Sequence, residues 1–140
     1  QDALFVLKFM TSWGGVTQGV ALVDGVDEMV LSAFYDVHVP WLAGQLFSIA
    51  PSEVITTKHG LHLVADRKPE DWNTSNEILF PVMSEKAKQP SWLEPFNSTP
   101  LSFRENDFAF DVALKYLAQT YDLPTAEYTA KRLEYRWFIP

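Results

Sequence analysis

The 140-residue sequence has no cysteine, which removes disulfides, thiolate metal sites and every cysteine-nucleophile mechanism at once. Basic residues are few: 11 Lys and Arg stand against 18 Asp and Glu, for a net charge of −7. Phosphate binding needs clustered cations, and the densest basic spot, Lys131 and Arg132 with Arg136, is small. Nucleic acid is therefore not an expected partner; the acidity reads as solubility. Long hydrophobic runs are missing too. The longest, ALFVL before Lys8, is far too short to cross a bilayer, so no transmembrane span is expected. No signal-peptide pattern is visible and no Met opens the chain, so Gln1 is expected to follow a processing cut or a missing N-terminal part. No Gly-x-Ser-x-Gly elbow offers a serine nucleophile, and VDGVDE has one glycine, too few to cradle a phosphate. The compartment is left open.

Aromatic residues are plentiful, 14% of the chain with 10 Phe and 5 Trp. That is more apolar surface than a small core easily hides, and some of it is expected to meet a partner. A hydrophobic fraction of 47% and a charged fraction of 21% are ordinary for a globular chain, and this length suits one domain. We divide it into an N-terminal arm or short helix over 1–15, ended by Gly14 and Gly15, and a single domain over 16–140.

VTQGVALV (16–23) is a short β-branched run that reads as a central strand buried on both faces, ended by Asp24 and Gly25. From Asp27 a helical pattern places Met29, Ala33, Phe34 and Val37 inward, with Asp27 and Glu28 in the first turn and Pro40 as the stop. His38 reads as a helix-end residue favouring the C-terminal dipole. GQLFSIA (44–50) reads as a second strand. VITT and LHLVAD, joined by Lys58-His59-Gly60, read as a small hairpin or two edge strands. EILFPV (77–82) is a further buried strand closed by Pro81. SWLEPF carries a capping pattern that Pro95 limits to one turn, and PLSF is the best candidate for one more strand. FAFDVALKYLAQTYDL (108–123) is the clearest helix, with Phe110, Leu114, Leu117 and Tyr121 on one stripe. TAEYTAKRLEY gives a last helix with Ala126, Ala130 and Leu133 inward. Strand–helix alternation followed by C-terminal helices indicates an α/β sandwich.

Several polar groups invite a functional reading. His59 and His62 lie three apart near Asp66, but i and i+3 point to opposite faces of a strand, so they read as surface or hairpin residues. Asp24, Asp27 and Glu28 lack the alternating oxygen ligands of a calcium loop. Asp107 and Asp111 fit capping and dipole roles, and Ser84 a helix cap. Asn73-Thr74-Ser75 and Asn97-Ser98-Thr99 are sequons that read as chance occurrences. No metal and no cofactor are expected.

VALVDGVDEMVLSAFYDV (20–37) resembles the first strand and helix of the ThiJ/PfpI superfamily, the class I glutamine amidotransferase-like sandwich. VITTKHGLHLVAD resembles that family's next hairpin, EILFPV its strand that normally ends in Pro-Gly-Gly, and FAFDVALKYLAQTYDLPTAEYTAKRLEY its C-terminal helix pair. The resemblance covers about two-thirds of the chain and implies a reduced flavodoxin-like three-layer sandwich with a mainly parallel sheet and two C-terminal helices. The family's enzymes use a Cys on a strand-to-helix elbow, an acid on the first helix and a glycine donor loop. Here the elbow block is missing, the acid position falls on Val30, and Pro81-Val82-Met83 replaces the donor loop. Glu28 lies about 200° around the helix from Val30 and is no ready substitute. Asp24, Gly25, Glu28, Val30, Pro81, Val82 and Met83 thus read as positions of a vestigial site, with no catalytic residue.

Three functions are expected in order. The first is a non-catalytic pseudoenzyme serving as an accessory subunit or interaction domain, through other protein subunits or self-association. Phe5, Phe9, Trp13, Trp137 and Phe138 read as satellite core or, if exposed together, as its interface, and its shortened sheet would leave edges to cover. The second is a small-molecule binding or sensing domain of the kind attached to transcription regulators. The third is a residual hydrolase or lyase with a rebuilt site.

Overall fold

The computed structural model describes residues 16–38, 45–82, 88–104 and 107–137. The proposed arm over 1–15, with Phe5, Phe9 and Trp13, lies outside the described residues, as do Pro40, Met83, Ser84 and Phe138.

The strands are β1 (Gln18–Ala21), β2 (Leu46–Ile49), β3 (Val54–Thr56), β4 (His62–Val64), β5 (Ile78–Val82) and β6 (Ser98–Ser102). The helices are α1 (Glu28–His38), α2 (Ala109–Thr120) and α3 (Leu123–Arg132). Four strands form a parallel sheet in the order β2-β1-β5-β6, and β3 and β4 form a separate antiparallel hairpin. β1 is central and buried at all four positions, as its β-branched run predicts. β6 contains most of PLSF and pairs in parallel directly with β5.

Successive side chains of each strand alternate between faces. Leu79 joins Val30, Phe34, Leu101, Phe103 and Tyr116 on the helical side. Ala21, Ile78 and Phe80 go to the other face, which Trp72 and Leu93 cover from two single-turn 3-10 segments, Pro69–Asp71 and Ser91–Leu93. Among the described residues, the layer on that face is built from these turns and not from a long helix. Gly19 suits this close packing, because a Cβ there would force Ile49 Cδ1 to shift and press on Trp72 and Ile78. α2 and α3 close the helical side around Ala113, Leu114, Leu117, Ala126 and Ala130. Asp122 caps α3 by accepting the Thr125 N–H at 2.9 Å, so Leu123-Pro124 starts that helix as well as ending α2.

Two assignments need correction. Met29 is not on the inner stripe of α1: it is 70% exposed, and Val30 and Leu31 are buried instead. The sheet and the hairpin flank the start of the helix on two sides, and its inner face turns to fit both. His38 is not a solvated cation at a helix end. It is fully buried between the rings of Phe34 and Tyr116, its Nδ1–H donates to the Phe34 carbonyl at 2.8 Å, and burial pushes its pKa down to about 4. It is therefore neutral at pH 7 and adds nothing to the dipole. Trp137 is half-buried against the α1–α2–α3 core, so part of its surface is used within the domain.

Candidate functional site at the carboxyl end of the sheet

β1 runs to β2 on one side and is neighboured by β5 on the other, so the strand order reverses at the β1–β5 boundary. Open α/β sheets bind ligands at the carboxyl ends of such strands. The segment after β1, Val23 to Asp27, lies at this place. Gly25 has φ +81, a left-handed turn that suits glycine. That turn brings the chain against the hairpin: Gly25 N–H donates to the Thr56 carbonyl at 2.8 Å, and Asp24 Oδ1 accepts the Thr56 N–H at 2.9 Å.

The acids of the first helical turn then meet the hairpin's polar turn. Asp27 precedes α1 and accepts the Met29 N–H at 3.0 Å, an N-cap, while its other oxygen meets the Lys58 ammonium at 3.0 Å. Burial works to raise the Asp27 pKa, but these two bonds and the charges of Lys58 and His59 together hold it low. Glu28 accepts the Thr57 hydroxyl, the His59 N–H at 3.1 Å and His59 Nδ1–H at 2.6 Å. Thr57, then His59, hold its carboxyl at about 2. The Thr57 hydroxyl in turn accepts the Leu61 N–H at 2.9 Å, which fixes the turn around Gly60.

Magnitudes rank these contacts. An exposed ion pair such as Asp27–Lys58 is worth about 0–1 kcal/mol. Burying one Val, Leu or Ile side chain is worth about 1.5–3 kcal/mol, and Val26, Leu31 and Ile55 all sit in one cluster beneath the hairpin. Apolar burial holds the hairpin; the polar contacts set its register.

Asp27, Glu28 and His59 each offer one ligand atom, all within 4.8 Å of one another. This set suits a divalent cation only in part. The Lys58 ammonium already neutralises Asp27, and both Glu28 oxygens already accept protein donors. The arrangement is a clamp between helix and hairpin. Asp24 is turned away to Thr56, and the His59–His62 pair does not converge: His62 Nδ1 meets Thr56 Oγ1 at 3.3 Å, and Asp66 is committed to the Ser48 N–H at 2.8 Å.

Val30 points away from this clamp. It is 6% exposed and packs against Phe34, Leu79, Leu101, Phe103 and Tyr116. Pro81 and Val82 end β5 nearby, in register with Leu101 and Ser102. The β1 pairing stops at Val20–Leu79, so Pro81, whose missing N–H is next on that side, closes that ladder. Between Met29, Val30, Lys58, Phe103, Arg104 and Phe108 a cleft of about 520 Å3 remains. Met29 and Phe108 stand 70% and 71% exposed on it. Arg104, Phe108 and Lys58 were not singled out by the sequence reading. The one signal for Lys58 was the Lys-His turn facing an Asp-Glu helix start; Arg104 and Phe108 gave none, because a loop residue and a helix cap share no periodicity with the site.

No family model and no curated protein matches the sequence. Solved structures do match. A ThiJ/PfpI family protein from Pseudomonas syringae superposes with a TM-score of 0.64 over 91% of this chain and 78% of its own, at 11% identity. Oxidised DJ-1 from Toxoplasma gondii gives 0.60 over 87% of this chain and 100% of its own, at 12% identity. An AraC family transcriptional regulator from Pseudomonas putida gives 0.55 over 84% and 99%, at 10% identity. The likeness covers about nine-tenths of the chain: it has the fold of the ThiJ/PfpI and DJ-1 superfamily.

Proposed function

We propose that this chain is a non-catalytic domain of the ThiJ/PfpI fold whose work is binding, and that the cleft beside Met29, Lys58, Arg104 and Phe108 takes a small molecule, as a sensing module does. The observation that carries the reading is an open cleft lined by the apolar Val30, at the position where the resemblance puts the family's acid. Val30 is built into the core there, while the cleft keeps about 520 Å3, within the range of small-molecule sites. Glu28 is a poor replacement for the missing acid. A proton shuttle works best with a pKa near the working pH, and Glu28 is held at about 2 with its oxygens occupied. The likeness to a transcriptional regulator chain supports a sensing role.

A second reading, an accessory or interaction domain, draws support from the hairpin. Val54 and Val64 face each other across it and are 48% and 68% exposed, with Leu61 at 56% beside them.

A thermal-shift screen of small metabolites on wild type and Phe108→Ser separates the two. The binding reading expects stabilisers of the wild-type chain whose effect falls in the variant. A screen without stabilisers, beside concentration-dependent association that Val64→Lys abolishes, would move the function to the hairpin face.

A further inference from the structure

A second cleft of about 450 Å3 adjoins the first and shares Arg104, Asp107 and Phe108 with it. Ser102, Val112 and Lys115 complete its wall, with Asp111. Its charges are not equivalent. Asp107 is engaged, accepting the Arg104 N–H at 3.0 Å. Asp111 is engaged, accepting the Tyr135 hydroxyl at 3.0 Å. The side chains of Arg104 and Lys115 have no acidic partner among the described residues. The cleft thus presents two cations, one of them a planar guanidinium suited to a two-point grip on a carboxylate. Beside them lie the exposed ring of Phe108 and the half-buried Val112, which together make an apolar floor.

Resting on the binding reading above, we infer that the ligand of this joined cleft is an organic monocarboxylate with a compact apolar body. The carboxylate lies between Arg104 and Lys115, and the body lies on Phe108 and Val112. The two engaged acids of the same wall decide the charge. Asp107 and Asp111 offset the two cations on count, so the cleft carries no net charge to hold a second negative charge, and a monoanion is favoured over a dianion such as a phosphate monoester. A neutral molecule gains the floor without the grip, and a cation meets Arg104 and Lys115 head on.

The test uses three probes of one shape on the full chain: phenylacetate, phenylacetamide and phenethylamine, titrated by calorimetry and followed by amide chemical shifts. Phenylacetate is expected to bind at least about tenfold more tightly than phenylacetamide, a difference typical of a charge-assisted bond. Phenethylamine is expected to bind weakest. Arg104→Gln should lose about tenfold for phenylacetate and leave phenylacetamide unchanged. Arg104→Lys should recover part of the loss, and both variants should keep the wild-type melting temperature. Equal affinity for the three probes with shifts at Phe108 and Val112 would overturn the carboxylate assignment and leave the binding reading standing. If no probe shifts the cleft at all, both fail.

Discussion

At the residue scale, two buried or engaged titratable groups make the chain acid-sensitive in two separate windows. The unfolded chain takes up the His38 proton near pH 6.5, and the folded chain only near 4. Acidification from 6.5 to 4 therefore favours the unfolded chain, by about 3 kcal/mol once both values are passed. Glu28 has the same sign lower down. Its carboxyl takes a proton near 4.5 when unfolded and near 2 when folded, so its stabilisation is full above 4.5 and lost as pH falls to 2. Urea midpoints measured from pH 8 to 2 should show two slopes. His38→Leu should remove the upper one and leave the lower, and Glu28→Gln should do the reverse. A wild-type profile flat from 6.5 to 4 would contradict the buried, neutral His38. The sequence placed His38 at the end of a helix correctly but did not show that α2 lays Tyr116 over it, because Tyr116 is 78 residues away in the chain. Which residue of the first helical turn faces inward was not legible either: the helical period alone does not show that the sheet and the hairpin both pack on that turn, which buries Val30 and Leu31 and exposes Met29.

At the element scale, local patterning carried most of the fold. β1, β2, β5, the hairpin and both C-terminal helices follow from runs of apolar residues bounded by Gly, Pro and Asp. What was not legible is how the sheet handles its edges. The reading that a shortened sheet leaves edges to cover meets two structural devices. Ile49 of β2 forms a parallel bridge with Arg67, which extends the chain along one edge. On the other edge, Asn97 and Phe103 bond toward β5, so the alternation of a parallel ladder turns Ser98, Pro100 and Ser102 outward. Pro100 thus puts a missing donor in the middle of the exposed edge, a common block to strand addition. Pro100→Thr should restore that donor and promote association. Light scattering after size exclusion should show a larger species for the variant at concentrations where the wild type is unchanged. An identical profile would mean that this edge is covered by other means.

At the scale of the whole molecule, the hydrophobic clusters of the described residues frame a carboxyl-end cleft walled by Met29, Val30, Lys58, Arg104 and Phe108. The clamp of Asp27 and Glu28 on Lys58, Thr57 and His59 belongs to the frame: it fixes the hairpin that forms one wall. The apolar and cationic groups Met29, Phe108 and Arg104 belong to the opening. Composition could indicate that aromatic surface was in excess, but not where the fold would expose it. Phe108 became a cleft residue because it stands at the N-cap of α2, outside the helix stripe that buries its neighbours. The most direct measurement is amide chemical-shift mapping of the labelled chain with any stabilising small molecule, with that molecule's own spectrum followed in the same tube. The account predicts shifts centred on Met29, Val30, Lys58, Phe103, Arg104 and Phe108, and a molecule that remains chemically unchanged. Conversion of the molecule by the wild-type chain that stops in Glu28→Ala would contradict it, as would shifts confined to Val54, Leu61 and Val64.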